Sequence, residues 1–236
     1  MKIAAPMQSW GSSSRFEDRG TEAFPTHSGI VGLLASAMGI DRDQPERLAA
    51  FDAVEVAVRE DKRGRLEKDF HTVDVNSSKG KRVTTRHYLA DAAFLVGVYT
   101  LADDDSIIDT LSGALASPKN SLFFGRKSFV PSDKISLGVF ESDTATDFIT
   151  SCPIQISSHR DIPSRSRRSK TIPLNAVISD PTGDHILMDR PLSFASQNRQ
   201  YVPRVVKRLV VDVANPFFAP SDKEDNHDPL SILGDS

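Results

Sequence analysis

Histidine, cysteine and clustered cations are where this 236-residue chain could do chemistry. The six histidines are His27, His71, His87, His159, His185 and His227, and none stands three or four residues from another. That spacing excludes a metal-binding pair on one helix face. A single cysteine, Cys152, excludes an internal disulfide and any Cys-based zinc cluster. Between Ser151 and Pro153 it has no activating neighbour and reads as a core or strand-end residue. The chain has no GxGxxG, GxxxxGK[ST] or HExxH, so neither a phosphate-cradling loop nor a zinc-hydrolase helix is expected, and no cofactor. One acid–base option remains. His71 lies in DFHTV (Asp69–Val73), and His87 precedes Tyr88 with Lys81 and Arg82 upstream. Two imidazoles near cations suit metal-independent cleavage of an RNA phosphodiester. The alternative is that His71 orients a loop or stacks on a base.

Binding chemistry is written more clearly. Lys+Arg total 29 and Asp+Glu 32, a net charge of −3 that on its face argues against a basic nucleic-acid binder. The charges are segregated, however. Lys79, Lys81, Arg82 and Arg86 fall in one acid-free window. Arg160, Arg165, Arg167, Arg168 and Lys170 fall in a second with only Asp161, and Arg199, Arg204, Lys207 and Arg208 in a third. Acids gather at Asp103, Asp104, Asp105 and Asp109 and in the tail at Asp222, Glu224, Asp225, Asp228 and Asp235. One such window could be a solvated loop; three favour a polyanion surface, because each phosphate neutralised releases counterions.

Two short stretches add specificity. In FPTHSG (Phe24–Gly29), Pro25 sets the approach to a helix that Thr26 or Ser28 can cap. Its free N–H groups and positive dipole end could receive a phosphate, or be satisfied by capping alone. FFGRKS (Phe123–Ser128) joins two rings, the flexible Gly125 and the cations Arg126 and Lys127, a module for an unpaired nucleotide or a solvated turn after a strand. Trp10 and Tyr201 are further stacking candidates that could equally be core.

The elements that must position these groups follow from periodicity. Met1–Ala5 reads as a short strand and Gln8–Arg19 as a polar loop. Ser28–Ile40 is a helix with a stripe of Gly29, Gly32, Ser36 and Gly39, which suits close packing on a sheet or a ligand at the helix start. Ala53–Arg59 alternates as a strand. Glu60–Leu89 is a charged thirty-residue insertion, too long for filler. Ala92–Leu101 is a buried strand and Ser106–Ala116 an amphipathic helix stopped by Pro118. Further strands are expected at Ile135–Phe140, Ile154–Ile156, Ile186–Asp189 and Arg208–Val213, with a basic loop at Ser157–Arg168. Asn215–Ser236 reads as a disordered tail. The longest apolar run is about eight residues, short of a membrane span, and no signal peptide is recognisable, so a cytosolic protein is expected. The order strand, helix, strand, insertion, strand, helix, strand suits an α+β, ferredoxin-like (RRM-like) β-α-β-β-α-β unit, whose open sheet is much used for RNA.

In order along the chain, APMQSWG (Ala5–Gly11), the run Thr21–Ile40, AVREDKRG (Ala57–Gly64), DFHTV, HYLADAAFLVGV (His87–Val98) and FFGRKSFVPS (Phe123–Ser132) resemble the CRISPR-associated proteins of family five, within the RAMP superfamily, and among them the type I-E Cascade members. The resemblance spans about Ala4 to Tyr201. It implies a RAMP-type domain over residues 1–117 with residues 60–89 as a protruding thumb, a β-rich segment over 118–213 and an acidic tail over 214–236. It also implies a non-catalytic, cytoplasmic subunit in antiviral defence. Such a subunit grips the 5′ handle of the crRNA, caps one end of Cascade beside the backbone subunit CasC and the large subunit CasA, and meets target DNA through the complex. Endoribonuclease action on repeat RNA, as in type I-C relatives, is the alternative, with His71 and His87 as its residues. On the binding reading, Arg15, Arg126 and Lys127 meet phosphates, and Gln8, Thr26 and Ser28 supply hydrogen bonds. Trp10 and His71 offer rings, Gly125 lets the backbone approach, and Lys79, Lys81 and Arg82 act from the thumb. Members of the family usually carry several more residues before APMQSWG, so the first strand of this sequence reads as truncated. The resemblance does not extend to the acidic tail.

Overall fold

The computed structural model describes residues 1–11, 18–74, 81–101 and 106–218. The sequence candidates Arg15 and Lys79, the acids Asp103–Asp105 and the tail beyond Phe218 lie outside them.

Alternating apolar residues build a two-faced sheet. Six strands, β1 (Lys2–Ala4), β4 (Val54–Lys62), β7 (Ala93–Thr100), β8 (Thr171–Ser179), β9 (His185–Ser193) and β10 (Gln200–Ala214), lie in the spatial order β1-β7-β4-β8-β10-β9. Every neighbouring pair is antiparallel. Val54, Val56 and Val58 of β4 and Phe94 and Val96 of β7 point to one face, where they pack with Ile30, Val31 and Leu34 of helix α1 (His27–Met38) and Leu111 of a later helix (Ser106–Ala116). Ala57 points to the other face, joining Ile172, Leu174, Val211 and Val213, and Ile149 and Ile162 from the chain that covers them. That cover includes a short helix, Ala145–Ser151, with Thr144 as its N-cap.

The early elements follow the expected order, with shifted ends. The first helix starts one residue earlier than expected and stops two earlier, before Gly39. Its glycine stripe serves packing. A Cβ on Gly29 would lie 2.7 Å from Cε3 of Trp10, so the indole can lie against the helix only because Gly29 is bare.

The insertion folds as a hairpin of β5 (Arg65–Asp74) and β6 (Lys81–Ala90), ten residues each, paired from Arg65 with Ala90 to Asp74 with Lys81. Two short strands inside the expected polar loop, β2 (Met7–Gln8) and β3 (Asp18–Arg19), take the other edge of β6.

Ile135–Phe140 and Ile154–Ile156 are not strands. Ile135 and Ile154 are buried, so their apolar side chains are used, but on irregular chain. Residues 132–135 run beside β1: Lys2 N–H donates to Ile135 O at 2.7 Å and Ser132 N–H to Ala4 O at 2.8 Å. Strand β8 is not among the expected strands: Ile172, Leu174 and Ala176 alternate inward, but Pro173 inside the run argues against a strand from sequence alone. The expected loop at 157–168 contains two 3-10 turns, His159–Asp161 and Ser164–Ser166. Of the described residues, no helix is long and apolar enough to cross a membrane.

Candidate nucleic-acid interface

A cleft of about 1420 Å³ opens where the start of α1, the inner end of β6 and the FFGRKS turn meet. Its wall carries six cations, Arg19, Arg42, Arg86, Arg126, Lys127 and Arg199, against two carboxylates, Asp41 and Asp43. Tyr88, Phe123, Phe194, Tyr201 and His87 add rings. Residues drawn from between Ser9 and Tyr201 therefore converge on one positively charged surface with aromatic faces, the combination that suits a single-stranded polyanion.

The FFGRKS turn is braced from below. Phe124 N–H donates to Phe129 O at 2.9 Å, Phe129 N–H to Arg126 O at 2.8 Å, and Ser9 N–H to Phe124 O at 3.1 Å. Gly125 has φ +91°, and a Cβ there would lie 2.2 Å from Ser9 O, so no side chain can occupy the position. The Arg126 guanidinium sits 4.7 Å from the Tyr88 ring centroid and 5.9 Å from that of Phe129, and the two rings meet edge-on at 5.1 Å. Cation–π contact holds the charge at the cleft surface. Partial burial, with Arg86 and Arg19 close by, lowers the Arg126 pKa from its ordinary value. Cations that outnumber the carboxylates of the cleft wall six to two leave a net attraction for an anion.

The helix start is already satisfied from within. Thr26 Oγ1 accepts from Gly29 N–H at 3.2 Å and lies 3.4 Å from Ser28 Oγ. His27 N–H donates to Asp189 Oδ2 at 2.9 Å. Asp189 is in turn held by Arg204, Nε to Oδ1 at 3.0 Å and Nη2 to Oδ2 at 2.8 Å. A protein carboxylate thus occupies the anion position that the sequence offered to a phosphate. Burial raises the Asp189 carboxyl, but the Arg204 bonds, its charge and the His27 N–H outweigh this and leave it below its ordinary value. Burial lowers the His27 pKa.

The remaining sequence candidates separate into supports and hairpin residues. Gln8 is fully buried: its Nε2 donates to Ala92 O at 2.8 Å, and its Oε1 accepts from Trp10 Nε1 at 3.1 Å. Trp10 is 2% exposed and packs 5.8 Å from Phe124. Both stand beneath the cleft as supports, with their polar atoms committed. Thr26 and Ser28 lie at its edge, nearly buried. Lys81, Arg82 and His71 lie out along the hairpin, and His71 Nε2 is 2.6 Å from Asp69 Oδ2. His87 Nε2 is 3.2 Å from Asp18 Oδ1. His71 pairs with Thr84 and His87 with Lys68. Thr84 and His87 are an odd number of residues apart, so the two imidazoles face opposite sides of the hairpin. They do not converge on one phosphate, and the acid–base pair suggested by the sequence is not assembled. Arg15 and Lys79 fall outside the described residues. Arg86 and Arg199 were visible in the basic windows, whereas Arg19 and Arg42 stand beside Asp18, Asp41 and Asp43 and gave no signal.

The charged cleft, the two-faced sheet and the hairpin together have the chemistry that suits a polyanion, and comparison with known proteins gives the family. The family model described as "CRISPR-associated protein (Cas_Cas5)" matches residues 1–207, and the chain belongs to that family. It is 32% identical to the CRISPR system Cascade subunit CasD of Escherichia coli (strain K12), covering 60% of this chain and 70% of that protein. A chain of a solved CRISPR RNA-guided surveillance complex is similar with a TM-score of 0.75 and 29% identity over 96% of this chain and 95% of that one. A crystal structure of a Cas protein is similar with a TM-score of 0.66 and 30% identity over 91% and 97%.

Proposed function

We propose that this chain is a non-catalytic RNA-binding subunit of a type I-E CRISPR Cascade complex, gripping the 5′ handle of the crRNA at one end of the assembly. The observation that carries the reading is the cleft, where six cations from five parts of the chain surround aromatic faces. Arg126 and Lys127 take phosphates there, and Tyr201 and Phe123 offer rings. Gln8 and Trp10 act indirectly, by fixing the floor on which Gly125 turns. Relatives named as a Cascade subunit and as part of an RNA-guided surveillance complex support the assembly. CasC and CasA are the expected neighbours, with target DNA met through the complex.

The same proposal includes the finer fold. The β1-β7-β4 order with two helices on one face suits a ferredoxin-like core, with residues 132–135 in the place of its fourth strand. The β5–β6 hairpin is the thumb. Leu66, Phe70 and Val83, 58–64% exposed, share its outer face, as a surface for a neighbouring subunit would require.

The test is binding of an RNA carrying the handle against a scrambled RNA of equal length. The handle RNA should bind at least about tenfold tighter, a difference of about 1.4 kcal/mol. Arg126→Ala with Lys127→Ala should weaken handle binding and flatten its salt dependence by about one to two units of log–log slope. Equal affinity for the two RNAs would sink the handle reading. Cutting of repeat RNA in EDTA by the pure protein would replace it with the nuclease reading.

A further inference from the structure

A second basic surface lies away from the cleft. Between His159 and Lys170, Arg160, Arg165, Arg167, Arg168 and Lys170 are all exposed. The one acid among them, Asp161, is engaged elsewhere: Lys62 Nζ is 2.8 Å from Asp161 Oδ1 and 2.8 Å from Asp91 Oδ2. The segment is built rather than loose. Ile162 and Ser166 are buried, and the Asn215 side chain donates to the carbonyls of Ser166, Arg167 and Ser169 at 3.3, 3.4 and 2.9 Å. Ile162 belongs to the core on the sheet face opposite α1, so this surface and the cleft lie on different faces. Its edge carries a ring pair, exposed His159 and 41%-exposed Phe217, 6.5 Å apart.

We propose that residues 159–170, with Phe217, form a second binding surface for single-stranded RNA, indifferent to sequence and separate from the cleft. Arginine predominates, and its planar fork matches phosphate oxygens. Ser164 and Ser169 add exposed hydroxyl donors. An interface for a folded protein carries an apolar centre, and the patch has none; an exposed ring beside cations is what a stacked base uses. The cleft reading enters only in one comparison of the test, and the two can fail separately.

The experiment measures RNA affinity by fluorescence anisotropy over a salt series, with handle and scrambled RNAs of about thirty nucleotides, longer than one site of this type needs. The variant is Arg165→Ser/Arg168→Ser/Lys170→Ser in the full chain. Arg167 is kept because its guanidinium donates to Ile162 O and Arg160 O, both at 3.2 Å. Thermal melting checks that the variant is folded. The expected result is about a tenfold loss for both RNAs near 0.1 M salt, with a log–log salt slope lower by about two, three phosphate contacts at about 0.7 each. The handle-to-scrambled ratio should not change. Phe217→Ala should cost several-fold with the slope unchanged, since stacking releases no counterions. An unchanged slope in the triple variant overturns the proposal and leaves the patch to an acidic polypeptide. A fall in the handle-to-scrambled ratio also overturns it, by making the patch part of the handle site. If wild type shows no handle preference, the cleft reading fails while the slope comparison still decides this one.

Discussion

The two faces of the central sheet are locked by two buried Arg–Asp pairs that differ in what they hold. On one face Asp189 sits between Arg204 and the His27 N–H and closes the start of α1. On the other, fully buried Arg59 reaches Asp61, Nε to Oδ1 at 2.5 Å and Nη2 to Oδ2 at 3.0 Å, and gathers the carbonyls of Ile149, Cys152 and Pro153. Asp61 Oδ2 also accepts from Gln155 N–H. The first pair neutralises a helix end that would otherwise attract an anion; the second pins irregular chain that has no ladder of its own. A buried pair adds little net stability over a well-packed apolar core, but removing one member leaves the other charged and alone. Each face therefore depends on its pair for position more than for energy, and each basic surface lies over the chain so positioned.

Breaking the second pair should have the larger effect. Arg59→Ala abandons Asp61 and three carbonyls in the interior, and should cost about 3–5 kcal/mol in urea unfolding. Asp189→Asn keeps an acceptor for the His27 N–H and an uncharged partner for Arg204, and should cost about 1–3 kcal/mol. Acid sharpens the contrast. Asp189 titrates below the ordinary carboxylate range in the folded protein, so its contribution is complete above about pH 4 and is lost as pH falls through its lowered value. Burial pushes Asp61 up, against the pull of Arg59, so its contribution is present below about pH 4 and is lost as pH rises through its raised value. Urea midpoints followed down in pH should make Asp189→Asn less acid-sensitive than wild type below about pH 4, and Asp61→Asn more acid-sensitive above it. The same pH slope in both variants would remove the distinction between the faces.

Gly125→Ala tests how the α1 face carries its cations. The added Cβ meets Ser9 O, and φ +91° strains any L side chain, so about 1–3 kcal/mol should be lost. The turn presenting Arg126 should shift, and the handle preference should fall further than stability does.

The elements legible in the sequence were those with local periodicity: α1, the helix Ser106–Ala116, and the valine and apolar runs of β4 and β7. The resemblance fixed the family. Elements defined by distant partners were not legible. Strand β10 runs fifteen residues, but Pro203, Arg204, Lys207 and Arg208 hide its alternation, and only Arg208–Val213 was visible as strand. Arg204 counted as one more cation in a basic window, yet it is buried against Asp189. The helix start looked like a phosphate site because nothing local shows that a carboxylate 162 residues away reaches it. Gln8 and Trp10 lie in a recognisable motif, but motif membership does not say whether a side chain faces a ligand or supports the residue that does.

The hairpin belongs to neither face and gives the smallest expected effect on the chain alone. Leu66 and Phe70 are 64% and 63% exposed, and among the described residues β5 pairs with β6 alone. Their side chains release little area to solvent on truncation, so Leu66→Ser with Phe70→Ser should change unfolding free energy by no more than about 0.5 kcal/mol. Lys68 lies 5.1 Å from the Phe70 ring centroid, and losing that exposed contact stays within the same bound. If the outer face meets a neighbouring subunit, the double variant should keep its melting temperature and handle preference while less of it copurifies with the co-expressed complex. Unchanged copurification would make the hairpin's apolar face an ordinary exposed surface. A loss of stability above about 1 kcal/mol would instead mean that the hairpin folds back on the domain, and that the separation between two locked faces and a free arm is wrong.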